Sequence, residues 1–247
     1  MHWIHERRLR WLFDFIDPDP TRRRAARLRH DRYIAERREA ARREDAVWWS
    51  NGQSYDFSAA PALGAAFDRH IAAQRAARDN TLYGVLGRFA HASWRADESA
   101  TFELCAPYAV LFLRWEAAYP VEWRDASPSS PWGTKQGILR SFVRAGVPPS
   151  NRTHLVELVT QAVSRDHRCE DRWYAAVARR LDGPELRAAL DGCRTSADGV
   201  VRLRAEYVLT VLHNVEMPVT LASWRRWLAE TAYTTPTPAP TGRCGRR

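Results

Sequence analysis

Apolar side chains in this chain recur three and four residues apart, and runs alternating apolar with polar are nearly absent. A half-buried strand needs a period of two, whereas a helix needs 3.6. The spacing therefore predicts an all-α fold, either a multi-helix bundle or stacked helical hairpins. Three helix pairs of roughly thirty residues each leave an irregular α-solenoid as a variant of the second form.

The pattern resolves into segments. Residues 2–16 read as a short amphipathic helix, with Ile4, Trp11, Leu12, Phe15 and Ile16 near one side. "DPDPT" breaks it, and Asp19-Pro20 supplies a cap and first position for a second helix. Ala26, Tyr33, Ile34, Ala40, Ala41, Val47 and Trp48 form a thin seam along that helix, over roughly 36 Å at 1.5 Å per residue. A seam so narrow and alanine-rich cannot hold a helix alone, so it must lie on something.

After a loop at 50–61, helices are predicted over 61–78, 81–95 and 98–119. The last is apolar nearly all round, and its Pro107 predicts a kink or break. The segment 119–133 holds three prolines and three serines and reads as a hinge. Further helices are expected at about 135–145, 152–164, 171–181, 184–192, 198–214 and 220–231, with short connections that make neighbours antiparallel. The organisation expected is a charged helical segment at 1–49, an all-α body at 50–231 with a hinge at 119–134, and a disordered basic tail at 232–247.

Charge is uneven. The net +9 includes +4 from residues 1–48 and +3 from Arg243, Arg246 and Arg247, leaving +2 on the body. Residues 22–45 alone carry ten arginines and five acids. Of the 38 basic residues, Lys135 is the single lysine. A near-neutral body argues against gripping duplex DNA with the whole molecule, which needs a basic stripe. Arginine is nonetheless the better fork for carboxylate or phosphate.

Cys105, Cys169, Cys193 and Cys244 are scattered without a CxxC pair, which points to reduced thiols and a cytoplasmic protein. "MHWIHERRLRWLFDFID" lacks an apolar signal-peptide core, and the most apolar run, 104–115, is too short to span a bilayer.

Motifs for phosphate, dinucleotide, nucleophile-elbow or zinc-protease chemistry are missing, and no Glu has His three residues later. Three weaker clusters remain. His2, His5 and Glu6 share a turn but lack a further metal ligand. Asp166, His167, Cys169, Glu170 and Asp171 crowd one inter-helix loop, a setting for a base beside a thiol or for an ordinary solvated loop. His91 stands near Trp94, Asp97 and Glu98, as a general base would. Glu103, Arg114 and Glu116 flank the apolar stretch and suggest a buried charge network. No metal and no cofactor is assigned.

The reading that follows is a non-catalytic interaction or adaptor protein. Its partner-binding residues are Arg22, Arg23, Arg24, Arg27, Arg29, Arg37 and Arg38, with Trp48, Trp49, Trp123 and Trp132 as aromatic anchors. Trp123 and Trp132 enter because they lie in the proline-rich loop, where core packing explains them least. The partner is an acidic protein or a second copy of the chain meeting the N-terminal helix. Two alternatives stand beside it: nucleic-acid binding by the same arginines, and an enzyme with a site between helices of the body.

Overall fold

The computed structural model describes residues 7–126 and 130–234, and every regular element among them is helical. The His2, His5 and Glu6 cluster, part of the predicted hinge (127–129) and the basic tail from 235 onward lie outside the described residues.

A 3-10 helix at Arg10–Ile16 opens the described chain. It buries Leu12 and Phe15, and Phe15 stacks on Trp115 at 4.3 Å between ring centroids. The long helix α1, Pro20–Ser50, starts where expected. Asp19 accepts the Thr21 backbone N–H at 2.8 Å, and Pro20 occupies the first turn, where a missing N–H costs nothing. Asn51 ends it, donating from its side-chain amide to the carbonyls of Ser54 and Asp56 and so closing the turn into α2, Pro61–Arg78. α1 and α2 form an antiparallel arm. Ile34 and Ala40 of α1, with Phe67 and Ala77 of α2, are among its buried residues, and Gln74 donates to Glu44 across it. The predicted seam is real, but it rests mainly on α2, across the expected boundary at residue 49.

α3, Leu82–Ala92, follows a tight turn capped by Thr81, whose hydroxyl oxygen accepts from Gly84 N–H at 3.0 Å. α4, Ser99–Ala118, is the centre of the molecule and is buried on nearly every side. It runs through Pro107 without the break that was one of the two outcomes expected there. Cys105, Ala106, Tyr108 and Ala109 on either side are all buried, and their packing outweighs one lost backbone hydrogen bond.

Helices occupy much of the segment read as a hinge. A short helix α5, Pro120–Asp125, lies in it, and α6, Pro131–Ala145, begins four residues earlier than the spacing suggested. α6 ends at Gly146, whose φ of +92° few other residues tolerate. Then come α7 (Arg152–Ser164), α8 (Arg172–Ala178), α9 (Pro184–Arg194), α10 (Gly199–His213) and α11 (Leu221–Thr234). α4 touches α3, α5, α6 and α7, so the hairpins gather round one helix as a bundle rather than open into a solenoid. Among the described residues, no helix is long and apolar enough to cross a membrane.

Candidate functional site: a buried ionic cluster and the cleft beside it

Lys135 falls on the apolar stripe of α6, in register with Ile138, Leu139 and Phe142, and is wholly buried. A buried ammonium is tolerated only if paired. Its Nζ donates to Asp171 Oδ1 at 2.6 Å and lies 3.5 Å from Glu116 Oε2. Glu116, on the last turn of α4, is 0% exposed. The loop between α7 and α8 supplies the rest. Arg165 reaches both carboxylates, Asp171 at 2.9 and 3.0 Å and Glu116 at 3.2 Å. Arg168 donates to Glu116 Oε1 at 2.9 Å, and its backbone N–H donates to Asp171 Oδ2 at 2.8 Å. Three cations and two carboxylates thus join α4, α6 and the loop. Beside them the Tyr174 hydroxyl is buried without a hydrogen-bond partner. Burial, with the carboxylates of Glu116 and Asp171 nearby, pushes its pKa up and keeps it neutral.

The same loop walls a cleft of about 580 Å³ between α7, α8, α10 and α11. Val159, Val163, Val208 and Trp224 line its apolar sides. α11 leans on α10 through edge-to-face contacts of Tyr207 with Trp224 at 4.7 Å and Trp227 at 5.3 Å. Of the loop residues singled out by sequence, Asp171 serves the ionic cluster. Glu170 accepts from Trp173 Nε1 at 3.1 Å and from Gln136 at 2.9 Å. His167 and Cys169 stand exposed at the mouth. Glu116 was foreseen as part of a buried network, whereas Glu103 is exposed and Arg114 half-buried, and neither joins it. His91 meets Glu98 at 3.5 Å on the surface, where Arg95 also holds that carboxylate at 3.0 Å. No group of three or more His, Cys, Asp or Glu suited to a metal ion occurs among the described residues.

The arginines of α1 divide by environment. Arg23 is buried; it meets Glu122 at 3.3 Å, donates to the carbonyls of Asp17 and Pro18, and lies 3.9 Å over the Tyr119 ring. Arg27 shares Glu122 at 3.7 Å, and Arg22 pairs with Asp17 at 3.2 Å. Arg29 covers the Trp11 ring at 4.6 Å. These four bind the helix to its own surroundings. Arg24, Arg37 and Arg38 are exposed and make no ion pair with another described residue.

The proposed aromatic anchors divide too. Trp49 is 61% exposed and Tyr55 73%, with Trp48 half-buried between them. Trp123 is corrected: it is 0% exposed, packed at 5.3 Å against Phe112 and 4.8 Å against Trp132. Core packing accounts for it, and Trp132 is half-buried over it. Comparison of the chain with protein-family models, curated proteins and solved structures finds no match.

Proposed function

We propose that the chain is a non-catalytic interaction protein whose α1–α2 arm docks against an acidic protein surface. One observation carries this reading: an outward stripe of α1 that the fold leaves open. Positions 24, 28, 31, 35, 38, 42 and 49 recur at three, four and seven residues and share one face. Every one of them is exposed, including Leu28 at 62% and Trp49 at 61%. Arg24 and Arg38 have no ion-pair partner among the described residues, and Arg42 is held by Glu39.

Arginine interleaved with exposed apolar and aromatic groups is the composition of a protein hot spot. The stripe also carries Asp31, and Glu39 engages both Arg42 and Arg43. Those acids suit a patterned protein surface better than the uniform negative charge of a phosphate backbone.

The test is fluorescence anisotropy with an acidic, aromatic-containing peptide, single-stranded DNA and duplex DNA of equal charge. The peptide binds best, and the triple variant R24E/R38E/R42E weakens it by about tenfold, roughly 1.4 kcal/mol. Preferential DNA binding with a steep salt response would replace this reading with the nucleic-acid one. Equal binding by wild type and triple variant would leave the stripe as a solvated helix face.

A further inference from the structure

The cleft beside the ionic cluster has the dimensions and lining of a ligand site, independent of the arm. Its volume of about 580 Å³ lies in the range that encloses small organic molecules. Its walls are aliphatic and aromatic, so the body of an occupant is apolar. The question is what the polar end of that occupant meets.

Charge around the cleft answers it. Of the charged residues that line it, Arg172 and Arg204 stand with Glu170 and Asp171. Asp166, on the same loop, is exposed and does not line the cleft. Both carboxylates are already engaged: Asp171 inside the ionic cluster and Glu170 by Arg172 at 3.4 Å. Arg204 is the exception among the lining cations. It rises from α10 into the cleft wall, half-buried, and forms no ion pair with a described residue. Its NH1 donates to the backbone carbonyls of Val163 and Arg165 at the end of α7, which fixes the guanidinium in place. A fixed, partly desolvated guanidinium without a carboxylate is an anchor for one, because a half-buried charge gains more from pairing than an exposed one.

We propose that this cleft binds an apolar carboxylic acid, its hydrocarbon part between α7, α10 and α11 and its carboxylate on Arg204. The occupant is a small anionic amphiphile. A neutral hydrocarbon would leave Arg204 as it is, and a cationic one would bring a like charge to a guanidinium that has no carboxylate partner among the described residues.

Isothermal titration of the full chain with octanoate and with 1-octanol tests the assignment. The pair shares an apolar body and differs in the group offered to Arg204. Octanoate binds the wild type about tenfold tighter or better, a difference of roughly 1.4 kcal/mol. R204Q brings the two ligands to equal affinity, while R204K, which keeps the charge, retains part of the preference. V200W, at a rim position 51% exposed and so tolerant of size, weakens both ligands by blocking the mouth. Circular dichroism of each variant confirms that helix content is kept. Absence of binding by octanoate, equal affinity of octanol in the wild type, an undiminished preference in R204Q, or indifference to V200W each overturns the proposal.

Discussion

Replacing Lys135 by methionine is the sharpest probe of the buried cluster, because its effect is set by a count of charges. The cluster holds three cations, Lys135, Arg165 and Arg168, and two carboxylates, Glu116 and Asp171. Removing Lys135 leaves two of each, and Asp171 still accepts from Arg165 at 2.9 and 3.0 Å and from the Arg168 N–H at 2.8 Å. The loss is one charge-assisted hydrogen bond, about 1.5–3 kcal/mol, partly offset because an ammonium no longer has to be desolvated. Methionine fills the space, and the Trp132 and Tyr174 rings, each 5.5 Å from the nitrogen, suit a thioether. We expect a net cost of about 1–2 kcal/mol. Asp171→Asn does the opposite. It leaves three cations against one carboxylate in a buried site, and the expected cost is about 3–5 kcal/mol. Urea unfolding followed by circular dichroism separates the two: at a slope of about 3 kcal/mol per molar, midpoints fall by roughly 0.5 M and 1.3 M. The double variant should lose about 1–3 kcal/mol less than the sum, since removing Lys135 relieves the excess of cations that D171N leaves, and the Lys135–Asp171 bond is lost only once. K135M as costly as D171N, or strict additivity, would refute the charge-count argument.

Three further outcomes follow from single side chains. His30 is buried against Phe15 and Tyr83 with its Nε2 unpartnered, and burial lowers its pKa from 6.5 to about 4. The unfolded chain therefore binds a proton that the fold refuses. Stability falls as pH drops through that window, by up to about 3 kcal/mol, and His30→Leu removes this part of the acid limb in urea midpoints between pH 7 and 4.5. Gly84→Ala would place a Cβ 2.0 Å from the Arg78 carbonyl oxygen, so the end of α2 and the start of α3 must separate. The expected cost is about 1–3 kcal/mol, read as a lowered thermal midpoint, and an unchanged midpoint would show that the turn yields freely. Trp123→Ala should cost about 3–5 kcal/mol of folding stability, as a core tryptophan does; unchanged stability with weakened partner binding would restore it as a surface anchor.

What could be read in advance and what could not differ in range. The α1 seam, the Asp19 cap, the Gly146 terminus and the α7 to α10 helices depend on neighbours within one or two turns, so they leave a local imprint at the spacing of a helix. Lys135 left such an imprint too, as a lone lysine on an apolar stripe, but only its partners turn that oddity into a buried ion. Trp123 was misplaced because prolines and serines around it resemble a linker, whereas its burial is decided by Phe112 and Trp132. Arg23 looked like its neighbours, and what buries it is Glu122, 99 residues away. The ionic cluster draws on α4, α6 and one loop, each of ordinary local composition, so no window of sequence contains it. Its position is also what makes the cleft definite. Asp171 ties the 165–171 loop into the core from one side while the loop's outer residues face the cavity on the other. Arg204 is fastened to the same loop through the Arg165 carbonyl. The position of the Arg204 guanidinium in the cleft wall is therefore held, through the loop, by the buried ion pairs of Asp171.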